Sequence, residues 1–239
     1  MRRTPQQARS KARLARVLQA AERVLIGEGV QALTTTRIAA EAQVSVGSLY
    51  QYLPDRDAII DALAAGYFVR LESAMDDLVR AAAAEQWDDP VGVLIDVYAA
   101  IYRTEHGFRA LWFGSSLTEQ TRAADREHKR RMADGVRRIL LTLGVARDDE
   151  ALALACHAAV LAADALAQEA FRRDPEGDPG LLDEARLMLR GISPVSPRAM
   201  RGRRAGDGQG PARGARQCLG LRSTTLTSWL CAETVSCHP

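Results

Sequence analysis

Apolar residues recur at every third or fourth position along most of the first 192 residues, which is the spacing of helices with one buried face. The first such stretch predicts a helix over residues 8–26, and Gly27 and Gly29 follow it as stop signals. A second long stretch repeats the pattern from residue 56 to about residue 84. The predicted inward positions of these helices are Leu14, Val17, Leu18, Ala21 and Leu25, and then Ile60, Leu63, Tyr67, Leu71, Met75 and Leu78.

Helix-start signals divide the chain that follows. An Asp before a Pro caps a helix and places Pro in its first turn, as at Asp89-Pro90 and Asp178-Pro179. Ser116 to Glu119 has the form of a capping box, and Asp148 or Asp149 starts another helix. With no convincing strand or repeat before residue 193, the expected fold class is all-α. The predicted helices cover about 90–107, 108–113, 119–144, 149–173 and 179–191.

Between the two long N-terminal helices, residues 33–56 predict two short helices joined by a tight turn. Thr34 or Thr35 can cap the first by accepting a backbone N–H, and Ser45 can cap the second after a turn at Gln43. Leu49 anchors the second helix to the core. A helix of seven residues is roughly 10 Å long and fits across a DNA major groove about 12 Å wide. Its outward residues are Val46, Gly47, Ser48, Tyr50, Gln51 and Tyr52.

Small polar and aromatic side chains on this outward face predict contacts with DNA. The tyrosines and threonines are expected to reach the DNA backbone, and Arg56 a phosphate, because Arg56 follows the second helix. Gln51 can pair with the edge of adenine. The alternatives are core packing for the tyrosines, helix capping for the threonines and a solvated surface charge for Arg56. The predicted contact set is Thr35, Thr36, Ser45, Val46, Gly47, Ser48, Tyr50, Gln51, Tyr52 and Arg56.

Composition favours helices, and the charge distribution favours DNA. Of the 239 residues, 47% are apolar but only 5% are aromatic, a balance that favours helix over sheet. The formal net charge is only +2, so the total says nothing about nucleic acid. Residues 1–23, however, carry seven Arg or Lys against Glu22 alone. This basic excess lies beside the predicted helix-turn-helix, where phosphates would lie.

The helix-turn-helix segment resembles the TetR family of bacterial transcriptional repressors. The pattern, which starts at Thr34, is Thr-Thr-x-x-Ile-Ala-x-x-Ala-x-Val-Ser-x-Gly-Ser-Leu-Tyr-x-Tyr, then an apolar residue and a cation three further on. The sequence departs from the family at Gln43, where Gly is usual in a left-handed turn position, and at Leu53, where Phe is usual. A non-Gly residue in that turn costs about 1 kcal/mol. The resemblance implies double-stranded operator DNA, a small-molecule effector and a second copy of the chain as partners.

The resemblance also implies a two-fold interface formed by the last two helices before residue 193. These helices are rich in small and branched apolar residues, and an intramolecular core is the alternative. Two DNA-reading heads roughly 34–36 Å apart also bind far more tightly than one, which favours a homodimer on physical grounds. The candidate interface residues are Ala155, Ala159, Ala163, Leu166, Leu181, Ala185, Met188 and Leu189.

The effector site is the part that the sequence defines least. Few aromatics and many Ala suggest an apolar cavity for a small lipophilic compound, with ordinary packing as the alternative for each candidate residue. The candidate pocket residues are Tyr98, Tyr102, His106, Phe108, Trp112 and Phe113, with His128 and His157 as further possibilities.

Signals for other chemistry are weak. The sequence has no phosphate loop, no dinucleotide Gly pattern after a strand and no His-Glu-x-x-His helix, so no enzyme and no cofactor are expected. Ser115, Asp125 and His128 resemble a catalytic triad by composition only. The Cys residues of the tail lack paired Cys-x-x-Cys spacing, so no metal site is expected. The apolar run 151–167 contains His157 and Asp164, which favours a buried or interface helix over a membrane span. Cys156 is the one Cys before residue 193, so no disulfide framework is expected, and a cytoplasmic location is favoured.

These patterns divide the chain into four parts. Residues 1–8 are expected to form a basic arm, 9–55 the DNA-binding domain, 56–192 the sensing and dimerisation domain, and 193–239 a disordered tail rich in Arg, Gly and Pro. An out-of-frame extension is another explanation of that tail. The expected function is a ligand-released repressor, which acts by a population shift. The alternatives are a transcriptional activator and a helical binding protein that has lost its affinity for DNA.

Overall fold

The computed structural model describes the backbone of residues 4–114 and 117–192, with side chains from residue 10 to 191 outside the gap. This part of the chain forms α-helices and one 3-10 helix, and it contains no strand, so the all-α prediction is confirmed. The α-helices are α1 (Thr4–Glu28), α2 (Thr35–Ala42), α3 (Val46–Tyr50), α4 (Arg56–Ala84), α5 (Pro90–Thr104), α6 (His106–Phe113), α7 (Glu119–Thr142), α8 (Glu150–Arg173) and α9 (Pro179–Ile192), and the 3-10 helix is Val30–Ala32.

The helix starts follow the capping signals of the sequence. Asp89 caps α5 by accepting the Gly92 N–H at 3.1 Å, and Asp149 caps α8 by accepting the Leu152 N–H at 2.8 Å. Ser116 lies outside the described residues, and Thr118 accepts the Thr121 N–H at 2.8 Å at the start of α7. The observed helix ends differ from the predicted ones by a few residues. Helix α1 begins at Thr4 rather than at residue 8, and α5 ends at Thr104 rather than near residue 107.

The described residues fall into two compact units. The first contains residues 4–70 and 106–124, apart from the gap, and the second contains residues 71–105 and 125–192. Helix α4 contributes to both, and α6 belongs with the helix-turn-helix rather than with α5. The division therefore differs from the predicted domain boundary at residue 56.

In the first unit, α1 packs against α2, α6 and the 3-10 helix, and α2 packs against α3. The predicted stripe of α1 lies inward, with Val17, Leu18, Ala21 and Leu25 buried. Each buried methylene is stabilising by about 0.8 kcal/mol, so this stripe holds α2, and through it α3, in place.

In the second unit, α8 packs against α9, and both contact α5. Helix α8 is long and apolar enough to cross a membrane by length and composition alone. It also carries the buried Asp164, which pairs with Lys129 of α7 at 2.8 Å. A buried carboxylate in a folded protein is typically paired with a cation in this way.

Candidate nucleic-acid interface

Two hydroxyl caps fix the helix-turn-helix. The Thr34 side chain accepts the Arg37 N–H at 3.2 Å and starts α2. The Ser45 side chain accepts the Ser48 N–H at 3.2 Å and starts α3. Each cap satisfies one of the backbone donors that a helix start leaves unpaired. The Ser45 oxygen therefore accepts from the helix that it starts, while its O–H group can still donate.

Gln43 makes the turn between α2 and α3 in a left-handed conformation, with φ 54° and ψ 46°. It is the single non-Gly residue of the described chain with positive φ. The turn is completed by the Val44 N–H, which donates to the Ala39 carbonyl at 3.0 Å. A Gln in this conformation costs about 1 kcal/mol relative to Gly, but the turn still forms.

Leu49 determines which side of α3 faces outward. Its side chain is fully buried, together with Ile38 and Ala39 of α2. Tyr50, the next residue, is 50% exposed. Gln51 follows and is exposed as well. Helix α3 therefore presents the predicted face outward, although it has five residues and not seven.

Hydroxyl groups from neighbouring segments meet on this face. Thr35 Oγ1 donates to Tyr50 Oη at 3.4 Å, and Thr34 Oγ1 lies 3.3 Å from Thr36 Oγ1. Tyr52 is half-buried, and its Oη accepts a hydrogen bond from Ser10 Oγ of α1 at 3.0 Å. The Tyr52 hydroxyl is already paired with α1. The hydroxyls of the three threonines and of Tyr50 lie on exposed or half-exposed residues and can bind phosphate oxygens.

Gly47 of α3 leaves room for a partner. Gly47 is exposed, and a methyl group built on it would meet nothing within 4 Å. Val46 and Ser48 beside it are half-buried. The bare backbone at Gly47 therefore has no packing role inside the domain, and it permits close approach from outside.

Most of the charge on α2 is neutralised within the domain. Arg37 donates to Glu28 at 2.6 Å and to Glu41 at 3.2 Å, and its pKa is raised, mainly by the hydrogen bond to Glu28. Arg23 pairs with Glu41 at 2.9 Å. Arg13 of α1 differs, because its Nη1 donates to the Ser48 hydroxyl at 3.0 Å. The sequence analysis missed Arg13 as a site residue, although the basic excess of residues 1–23 was the signal.

Arg56 opens α4, as the sequence analysis placed it, but its side chain contacts the protein itself. The side chain is half-buried, and its Nη2 donates to the Val30 carbonyl at 3.0 Å. Its Nε is buried. The guanidinium thus ties the start of α4 to the 3-10 helix, because Val30 opens that helix. This geometry argues for a structural role rather than a phosphate contact.

The predicted pocket residues divide between the two units. In the first unit, Phe108 packs against Trp112 with ring centroids 4.4 Å apart, and Trp112 meets Phe68 at 5.4 Å. His106 is exposed and Phe113 is half-buried. In the second unit, Tyr98 and Tyr102 have ring centroids 5.2 Å apart. The predicted residues therefore form two aromatic clusters in separate units.

Asp164 is the centre of the second cluster. The Tyr98 hydroxyl donates to Asp164 Oδ1 at 2.7 Å and Tyr102 does so at 3.4 Å, while Gln168 donates to Oδ2 at 2.9 Å. Burial, reinforced by the neighbouring carboxylate, raises the pKa of both tyrosines well above their ordinary value. Burial alone would lower the pKa of Lys129, but the Asp164 and Asp125 carboxylates outweigh it and raise that pKa. The sequence signal was an Asp inside an Ala-rich helix.

Two of the predicted dimer residues pack within the subunit, since Ala185 is fully buried and Leu189 is 6% exposed. Met188 is 47% exposed, and the remaining five are half-buried. The outer side instead presents exposed apolar residues at helical spacing. We call this set the α8–α9 apolar face: Leu154, Ala158, Leu161, Ala165, Leu187 and Met188.

Comparisons with known proteins place this geometry among regulators. Residues 17–63 match the family described as "Bacterial regulatory proteins, tetR family", and residues 85–192 match "Tetracyclin repressor-like, C-terminal domain". A TetR-family transcriptional regulator from Streptomyces coelicolor shares 30% identity and a TM-score of 0.59, covering 77% of this chain and 96% of that one. No curated protein sequence matches the chain.

Two more distant solved structures share the fold. A SmeT–triclosan complex has 20% identity and a TM-score of 0.54, and covers 76% of this chain and 89% of that one. FadR from Bacillus subtilis, in complex with stearoyl-CoA, has 15% identity and a TM-score of 0.57, and covers 76% of this chain and 97% of that one.

Proposed function

The chain belongs to the TetR family and is a ligand-responsive transcriptional regulator, and we propose that it acts as a homodimeric repressor through the outward face of α3. The observation that supports this site is the contrast between the fully buried Leu49 and the half-exposed Tyr50 beside it. Because Leu49 anchors the helix, the tyrosine and Gln51 are left for the major groove.

The proposed contacts follow from the exposure of each side chain. Tyr50, Thr35 and Thr36 bind phosphates, while Gln51, Gly47 and their neighbours on α3 meet base edges. Ser45 contributes through its cap, which sets the start of α3. Since Gln43 keeps the turn intact, the geometry supports DNA binding over a domain that has lost it.

We propose that the α8–α9 apolar face joins two copies of the chain. Exposed leucines at helical spacing on two packed helices are costly in water and are typical of an interface. Homodimers are typical of the family, and two copies would present two α3 helices to successive major grooves.

The proposed effector is a small, mainly apolar compound with a polar group. The Tyr98–Tyr102 cluster of the second unit offers apolar surface, and the Asp164 network within the same cluster offers polar partners. Family members are generally non-enzymatic, soluble, cytoplasmic proteins, and we propose the same for this chain. Effector binding would favour a spacing of the two heads that misfits DNA.

Selection from a random duplex library tests this function. The wild-type protein is expected to enrich a sequence with two-fold symmetry and half-sites about one helical turn apart. A library of small apolar compounds is then screened for release of that duplex, measured by fluorescence anisotropy. Enrichment of no duplex would contradict the proposal, and a reporter driven by the selected sequence would separate repression from activation.

A further inference from the structure

The DNA-facing segment of this protein contains no charge of its own. From residue 43 to residue 54 the chain has no Lys, Arg, Asp or Glu. The nearby Arg23 and Arg37 are paired with Glu41, and Arg37 also with Glu28. Phosphate binding depends mainly on cations that release counterions from DNA, so a neutral recognition helix leaves this requirement unmet.

Arg13 lies against that segment. Its Nη1 donates to the Ser48 hydroxyl at 3.0 Å, and its side chain is exposed. One turn earlier on α1, Ser10 donates to Tyr52 at 3.0 Å. Two successive turns of α1 therefore contact α3 and the residues after it, and this double contact fixes Arg13 beside the DNA-facing residues.

We infer that Arg13 supplies the recognition surface with its cation and binds a backbone phosphate at the edge of the groove occupied by α3. A phosphate is favoured over a base because Arg13 belongs to α1 and not to α3, the helix proposed to enter the groove. The Ser48 hydroxyl accepts one of five guanidinium N–H groups, and the others remain able to donate to phosphate oxygens. This inference rests on the proposed DNA-binding face.

The test compares Arg13→Gln with Arg23→Gln, which removes the same charge from the same helix. Each variant binds the duplex enriched by the wild-type protein, over a range of salt concentrations. For a dimer, Arg13→Gln should make the slope of log affinity against log salt shallower by about two. When the salt concentration rises from 50 to 200 mM, the factor by which the affinity of Arg13→Gln falls should be roughly tenfold smaller than for the wild type. Arg23→Gln should change the slope much less, because Glu41 already offsets its charge.

Arg13→Lys provides the second variant, since Lys also binds phosphate as a point charge and should retain most of the slope. Urea unfolding confirms that each variant folds. Equal slopes for Arg13→Gln and the wild type, equal effects of the Arg13 and Arg23 variants, or a changed sequence preference without a changed slope would each overturn the inference. A wild-type protein that enriches no duplex would instead overturn the proposed function, and this inference with it.

Discussion

Leu49 and Tyr50 are adjacent in the chain, but Leu49 is fully buried and Tyr50 is half-exposed, because successive residues of a helix point in directions about 100° apart. Burial of Leu49 is stabilising by about 1.5–3 kcal/mol, so the helix cannot rotate without losing that energy. The orientation of Tyr50 is therefore a consequence of the core, and not of its own contacts. Its oxygen accepts a long hydrogen bond from Thr35, at 3.4 Å, and its O–H group can donate to a phosphate oxygen.

Replacement of Tyr50 by Phe tests the role of that hydroxyl. One hydrogen bond contributes about 0.5–1.5 kcal/mol, so affinity for the selected duplex should fall up to roughly tenfold per head. Anisotropy titration measures the affinity, and the far-ultraviolet circular dichroism spectrum should not change. Tyr98→Phe, which removes a buried hydroxyl far along the chain, is the control for DNA affinity. Unchanged affinity in Tyr50→Phe and in Tyr50→Ala would contradict the assignment.

Gln43 offers a second test at a single residue. Because its φ is 54°, replacement by Gly should raise the free energy of unfolding by about 1 kcal/mol, less the extra entropy that Gly loses on folding. Gln43→Ala retains the steric cost and should give no gain. Urea unfolding at neutral pH measures both variants, and equal stability of the two would show that the turn carries no strain.

At the scale of helices, close contacts between helices define each unit. Tyr67 of α4 donates to Glu22 of α1 at 2.9 Å, and Arg70 pairs with the same carboxylate at 3.2 Å. Gly107 of α6 lies directly against this group, where an added methyl would overlap the Tyr67 hydroxyl. The helix α6 can approach α1 and α4 only because this position has no side chain.

Replacement of Gly107 by Ala should therefore destabilise the first unit. Overpacking of this kind costs about 1–3 kcal/mol, which urea unfolding would detect. Gly27→Ala is the matched control, because a methyl group there meets nothing within 4 Å. The substitution also replaces a Gly within helix α1 by a better helix former. That variant should gain up to about 1 kcal/mol. Equal free energies of unfolding for Gly107→Ala and Gly27→Ala would mean that α6 accommodates the added methyl group without a loss of stability.

A second contact between helices depends on pH. His128 of α7 is 6% exposed, and its Nδ1 lies 2.9 Å from Glu72 Oε1 of α4, which also accepts from Arg131 at 2.9 Å. Burial lowers the pKa of His128, against the opposing effects of the Glu72 and Asp125 carboxylates, while Arg131 lowers it further. At neutral pH the imidazole is therefore neutral, and Arg131 is the cationic partner of Glu72.

The sign of the pH effect follows from that lowered pKa. Between the ordinary His pKa of about 6.5 and the lower folded value, the unfolded chain binds more protons than the folded one. The stability is complete above about pH 6.5 and decreases as the pH falls through the folded pKa of His128. Urea unfolding between pH 7.5 and 5 should show this decrease, and His128→Gln should reduce it. His157→Gln is the control, and an identical pH dependence in both variants would exclude His128 as the cause.

At the scale of the whole molecule, the α8–α9 apolar face connects folding to regulation. Leu154 is 70% exposed and Leu187 is 60% exposed in the isolated chain. Covering such residues against a second copy is stabilising by about 25 cal/mol for each Å² of apolar surface removed from water. A dimer formed in this way would bind DNA with two heads, whereas a single head makes too few contacts for tight binding.

Leu154→Asp should break that assembly. A charge in the buried centre of an interface is left unpaired, so the variant should be monomeric by sedimentation velocity at micromolar concentration. Its affinity for the two-fold duplex should fall by at least roughly a hundredfold, since one head loses the support of the other. Val69→Asp, an exposed apolar position on α4, should leave both properties unchanged. A Leu154→Asp protein that remains dimeric would place the interface elsewhere.

The sequence by itself determined the helices, because capping and periodicity are local. Thr34, Ser45, Asp89 and Asp149 start the helices that their side chains predict, and the family pattern identified the helix-turn-helix segment. Only the tertiary structure decided which side chains meet across long stretches of chain. Arg56 binds a carbonyl 26 residues before it, and Arg13 reaches Ser48 over 35 residues.

The same distinction explains the outcome for the pocket and dimer residues. Several faces of α8 and α9 carry small apolar residues, so periodicity alone could not separate the inner Ala185 from the outer Leu187. Aromatic residues close in sequence, such as Tyr102 and Phe108, were assigned to one site but belong to different units. Local patterns record the conformation of the backbone, whereas the partner of each side chain depends on how the helices pack.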